Sequence, residues 1–273
     1  MNRKVKILPA FAITLPLLVS ASGDLELTLG YDYTRGDYGQ DVTTEIEYMP
    51  LTLDYYNGPW RMEFTVPYIR VTGNGTVVPG AGGPMVFSDF DSGLFGPGSM
   101  RGGNSSSRTN TVTNSGLGDV MARVGYSIFP GADAGSFYEL SGRVKFGTAD
   151  EDDGLGTGEN DYALQLDGIV GSGSVAPYFT LGYLVTGDSN DFEYKDVPYG
   201  SIGLMFRRGD SGTAGIGYDY RRAAVSGTDD QQQASAYLGW VFSPRWSGTL
   251  SGLFGLTDST PDYGASFMLT GGF

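Results

Sequence analysis

Fifteen ionisable side chains recur at alternate positions in segments that are otherwise apolar, glycine-rich or hydroxylated: Glu26, Asp32, Glu45, Glu47, Glu63, Asp119, Glu139, Asp167 and Asp219, with Arg61, Arg123, Arg143, Lys145, Arg207 and Arg221. Their immediate neighbours are mostly Leu, Val, Ala, Tyr or Phe, so the charges share one phase of a two-residue period and the apolar side chains share the other. Such a set could serve acid–base catalysis by paired carboxylates, ion coordination, or a polar lining in which opposing charges set selectivity. The chain contains no His and no Cys, which removes Ser–His and Cys–His nucleophilic schemes and most transition-metal sites. The reading is therefore of a protein that is not an enzyme, with no cofactor and no metal ligand set. Gly116-x-Gly118 and Gly154-x-Gly156-x-Gly158 look like fragments of phosphate loops, but no helical period follows either. The run Asp150 to Gly154 lacks the ligand spacing of a calcium loop, which leaves a solvated loop or a loose divalent ion bridging to lipopolysaccharide.

The elements that must position these charges are strands. At the C-terminus Tyr263, Ala265, Phe267, Leu269 and Phe273 fall on one face, with Gly264, Ser266, Met268, Thr270 and Gly272 on the other. About eleven residues is the length a tilted strand needs to cross a bilayer. This segment resembles the C-terminal assembly signal of bacterial outer-membrane β-barrels, carried by Tyr263, Phe267, Leu269 and Phe273. Taken alone, it also fits a half-buried edge strand of a soluble sandwich.

The same alternation opens at Leu25, Leu27, Leu29, Tyr31 and Tyr33. It returns through Thr44, Ile46 and Tyr48 and then Leu51, Leu53 and Tyr55, a change of phase at Met49-Pro50 that predicts a bulge and turns Glu45 and Glu47 inward. Trp60 to Tyr68 forms the third strand. From residue 73 to 115 the period is lost, and Met85, Phe87, Leu94 and Phe95 stand out in this stretch as either a gate folded into a mouth or part of an outside loop. Alternation then continues to the end, through turns of two to six residues on one side and longer, acidic loops on the other. About twelve strands result, an all-β antiparallel up-and-down barrel with both termini on the short-turn side. Tyr55, Trp60, Tyr126, Phe129, Trp240, Phe242 and Trp246 fall near the short turns, as an interfacial girdle would. Charges on a lipid face would cost about 2–4 kcal/mol each near the midplane, so their confinement to one phase supports a membrane barrel over a sandwich.

Composition agrees. Of 273 residues 44 are Gly, 18 Tyr and 15 Phe, and only 18% are charged. Residues 1–21 read as a secretory signal: basic Arg3, Lys4 and Lys6, an apolar run from Ile7 to Leu18, and small residues up to Ala21. Without those three bases the mature chain, 22–273, carries 14 Lys+Arg against 31 Asp+Glu, a balance that excludes a nucleic-acid partner. The expected partners are outer-membrane lipid and lipopolysaccharide, the barrel assembly machinery, and a small-molecule solute.

Phe64-Thr65-Val66-Pro67-Tyr68, followed after the long loop by Ser115-Gly116-Leu117-Gly118-Asp119-Val120, resembles the outer-membrane transporter family labelled putative meta-pathway of phenol degradation. The resemblance implies a barrel passing small, often aromatic or hydrophobic, compounds, and it carries no residue-level site. Two readings of the interior stay open: a lumen lined by charge as a passive channel, or a barrel filled by salt bridges that works through its acidic outer loops in adhesion or partner binding.

Overall fold

The computed structural model describes residues 24–38, 42–73, 111–128, 135–151, 153–187, 195–209, 211–224 and 228–273, and the backbone of 6–7 and 17–18, where Lys6–Ile7 pairs with Leu17–Leu18. Met85, Phe87, Leu94 and Phe95, Phe129, and most of the expected signal segment lie outside the described residues.

Twelve antiparallel strands close on themselves: β1 (Asp24–Gly36), β2 (Thr44–Asn57), β3 (Trp60–Gly73), β4 in two segments (Val112–Leu117 and Met121–Ile128), β5 (Phe137–Lys145), β6 (Asp161–Ile169), β7 (Val175–Val185), β8 (Val197–Arg208), β9 (Gly212–Arg221), β10 (Gln231–Ser243), β11 (Trp246–Gly255) and β12 (Tyr263–Gly272). Each strand pairs with its sequence neighbours, and β12 pairs with β1 from Tyr263↔Arg35 to Gly272↔Glu26. Closure leaves no free edge along the wall, which is what a sheet needs if both its faces are to be removed from water. The tight turns sit at one end, where Gly58 (φ 60°), Gly171 (φ 86°) and Gly209 (φ 63°) take the left-handed conformation that lets the chain reverse.

The outer surface is apolar, with Leu29, Leu164, Leu181, Ile202 and Phe254 among its most exposed side chains. Outward charges within the described strands are Arg35, Glu45, Glu47, Arg70 and Arg208, all within four residues of a strand end. The belt between them suits hydrocarbon and not water. At the short-turn end it is bounded by aromatic rings in contact: Trp60 with Tyr126 (4.8 Å between centroids) and Trp240 with Phe242 (5.7 Å), amphipathic groups suited to a membrane interface.

Two departures from the sequence expectation concern phase. β2 keeps one phase throughout: Ile46 and Tyr48 point inward and are buried, while Glu45 and Glu47 point outward and pair with Arg35 (2.9 Å) and Arg70 (3.4 Å). Pro50 faces Pro67 across β3 without inserting a residue, and β1–β2 pairing is interrupted only between Leu29↔Leu51 and Asp32↔Tyr48. The missing proline N–H thus breaks a ladder bond and leaves the register intact. The true phase slip is in β4. Tyr68↔Leu117 and Thr65↔Met121 differ by one residue in register, a bulge at Gly118–Val120. Residues 112–117 are therefore strand, and the aperiodic stretch ends sooner than expected.

Candidate functional site

The lumen is the candidate site, and its two walls differ. From β2 to β6 it is lined by ion pairs. Arg61 bonds Asp54 (2.8 Å) and Glu63 (2.5 Å) near the short turns. Above them Arg123 reaches Glu139 (3.1 Å) and Asp167 (3.2 Å), and Asp167 accepts further bonds from Gln165 and Thr180 (2.7 Å). Tyr199 extends the chain by donating to Gln165 Oε1 (2.7 Å). Arg123 and Asp167 are 3% and 1% exposed. Charges so far from water persist only because each is bonded more than once. Arg143, directly opposite Arg123 on β5, and Arg221 also point inward and are buried, as is Glu26 on β1.

Towards the long-loop end the bulge aims Asp119 inward. One of its oxygens accepts the N–H groups of Thr148 (3.0 Å) and Ala149 (2.9 Å), and the other accepts from Lys145 Nζ (2.9 Å). Lys145 also meets Asp161 (3.1 Å) and the Thr157 hydroxyl (3.1 Å). These bonds turn the β5–β6 loop, residues 146–160, into the mouth. Its Ala149 and Leu155 join Ile46, Ile69, Leu184 and Val197 in one buried apolar cluster that connects β2 and β3 to β7 and β8. The gate or outside loop expected around Met85, Phe87, Leu94 and Phe95 lies outside the described residues; among the described residues the acidic loop enters the barrel. The β9–β10 loop is capped locally: Asp230 accepts from Tyr220 (2.7 Å) and from Ala223 N–H (2.8 Å), bonds that hold its carboxyl below the usual range.

The other wall, β10 to β12, carries no charge inward. Gln231, Gln233, Ser235, Thr249, Ser251 and Ser266 line it, with Ser251 and Ser266 hydrogen-bonded across β11 and β12. Between the two walls, on β7 to β10, inward tyrosines lie against glycines. Tyr178 covers Gly203 and Gly217 and donates to Ile216 O (3.2 Å), Tyr199 covers Gly182, and Tyr237 covers Gly215. A Cβ at any of these glycines would overlap the ring, so the glycine is the space the tyrosine occupies. Gly203, Arg207, Thr213, Gly217, Asp219 and Ser235 form a strip of inward positions that keep partial solvent access.

Of the expected lining residues, Glu26, Arg61, Glu63, Asp119, Arg123, Glu139, Arg143, Lys145, Asp167, Arg207, Asp219 and Arg221 point inward, and so does Asp32. Glu45 and Glu47 do not. Asp54 and Asp161 also belong to the lining, and the signal for both is alternation with outward residues, Leu53 and Tyr55 in one case and Tyr162 in the other. Tyr263, Phe267, Leu269 and Phe273 share the outward face at the seam. No group of three or more acidic side chains placed to hold a metal ion occurs among the described residues.

No family model matches the chain, and no curated protein matches it either. Solved structures resemble it in shape at low identity. The NanC porin is 9% identical, with a TM-score of 0.49 over 90% of this chain and 97% of that one. The translocator domain of the autotransporter NalP from Neisseria meningitidis is 11% identical, with a TM-score of 0.49 over 94% and 90%. The CymD monoaromatic hydrocarbon channel is 10% identical, with a TM-score of 0.41 over 92% and 88%.

Proposed function

We propose that this protein is a bacterial outer-membrane channel through which small solutes diffuse down their gradient. The observation that carries the reading is the accessible strip from Arg207 and Thr213 to Asp219, inside a closed barrel whose outer face is apolar. The ion pairs fill one side of the lumen, Gln231, Gln233, Thr249, Ser251 and Ser266 are buried on the other, and the strip between them keeps partial access. The resemblance carried by Phe64–Tyr68 and Ser115–Val120 extends the proposal to small aromatic or hydrophobic compounds, and the inward Tyr178, Tyr237 and Met205 suit an amphipathic solute. The β5–β6 loop acts as the gate, because its displacement would remove Leu155 from the apolar cluster at the mouth. In this reading residues 1–21 direct export and are removed, and Tyr263 to Phe273 is the segment the assembly machinery binds.

The test is planar-bilayer conductance of the refolded full chain and of a variant in which residues 150–156 are replaced by two glycines. Current from the native protein, increased in the variant, is the expected result. Baseline current in both, with the barrel folded by gel mobility, would overturn the channel and favour a closed barrel acting through its acidic loops.

A further inference from the structure

The accessible strip ends at Asp219, and this carboxylate differs from six others inside the barrel. Asp54, Glu63, Asp119, Glu139, Asp161 and Asp167 each meet a Lys or Arg. Asp219 forms no ion pair among the described residues. Its hydrogen bonds come from neutral donors, the Ser235 hydroxyl at 3.1 Å and the Gln233 side chain. The strand register places Ser201 of β8 and Gln233 of β10 directly opposite it on either side, all three inward. Both flanking residues are 6% exposed, and Ser201 Oγ and Gln233 Oε1 have no hydrogen-bond partner among the described residues. A buried acceptor left unmade is costly, so two beside one unneutralised carboxylate mark a place built for donors that the chain does not itself supply.

We infer that Asp219, Ser201 and Gln233 form a subsite for a protonated amine, the primary ammonium group of a small amphipathic solute. This deepens the channel reading and rests on it. An ammonium offers three N–H donors and one positive charge, which matches one carboxylate oxygen and two neutral acceptors spread over three adjacent strands. The inward neighbours in the next row, Gly203 and Gly217, carry no side chain, and Asp219 itself keeps partial solvent access. The Tyr178 ring packed on those glycines provides an apolar flank for the body of the solute. An anion would be repelled by Asp219, and a divalent metal would find only one carboxylate.

The experiment uses the refolded full chain in detergent micelles and follows benzylammonium chloride by ligand-observed NMR, with benzyl alcohol as the neutral control. Benzylammonium is expected to bind with a dissociation constant at least about ten-fold weaker in Asp219→Asn. Asp219→Glu should retain most of the binding, and benzyl alcohol should not distinguish native protein from variant. Gel mobility confirms that each variant is folded. Equal binding to Asp219→Asn, no binding to the folded native protein, or displacement by equimolar sodium chloride would each overturn the subsite, the last by reassigning it to an alkali cation. Conductance measured on the same preparations separates the two proposals: binding that depends on Asp219 without current removes the channel and keeps the subsite, and current without such binding does the reverse.

Discussion

The wall from β2 to β6 and the wall from β10 to β12 face the same lumen and are held by different interactions. On the first, Arg123 and Lys145 each join two carboxylates across neighbouring strands, so each cation ties three strands together. On the second, Ser251 and Ser266, and Thr28 with Thr270 at the seam (2.9 Å), bond hydroxyl to hydroxyl between adjacent strands. A charged side chain is long and reaches carboxylates on two strands, whereas serine and threonine reach only the adjacent strand. The asymmetry thus divides the barrel into a side braced by charge and a side tied by neutral hydrogen bonds. It also makes the two walls unequal in what a substitution costs.

Three substitutions probe that inequality, each followed by equilibrium urea unfolding of the barrel in lipid vesicles. Arg123→Met leaves Glu139 and Asp167 buried without their shared cation and is expected to cost about 3–5 kcal/mol. Gly217→Val, between the walls, drives a side chain into the Tyr178 ring and is expected to cost about 1–3 kcal/mol. Combining it with Tyr178→Ala should cost less than the two changes summed, because the clash disappears with the ring. Ser251→Ala removes one neutral hydrogen bond and is expected to cost about 1 kcal/mol or less. If Ser251→Ala proved as damaging as Arg123→Met, the division into a braced wall and a permissive one would not hold.

The strand count, the closure and most of the inward residues were legible because alternation is local: a Leu-x-Leu-x-Leu run such as Leu25 to Leu29 states its own facing. Pro50 misled for a physical reason. A proline within a strand often marks a bulge, but here it gives up a hydrogen bond to β1 while Gly30, whose Cβ position would overlap Pro50, makes room for its ring. Glu45 and Glu47 therefore sit outside, where Arg35 and Arg70 lie near the end of their strands. The bulge at Gly118–Val120 gave no comparable signal, since both phases of that glycine-containing stretch read acceptably. The inward turn of the acidic loop depends on Asp119, Lys145 and Thr157 meeting across up to 38 positions of sequence, which no periodicity records. Leu155, the one large apolar residue between Asp150 and Asp161, was the available hint. That Asp219 forms no ion pair among the described residues was not legible either, because it is defined by which cations fail to reach it.

The seam between β12 and β1 has a kinetic consequence. Thr28 and Thr270 are 242 residues apart in sequence, and joining ends so distant carries a loop-closure cost on the order of 5 kcal/mol in a flexible chain. The other strands pair with a partner reached through one turn or loop, so hairpins can form successively along the chain while the first and last strands wait. Until that pairing is made, β1 and β12 both present unsatisfied backbone groups, which hydrocarbon does not tolerate. Entry into the bilayer and closure of the barrel are thereby coupled into a single late event, and a chain that stops before Tyr263 would have no second edge with which to complete it.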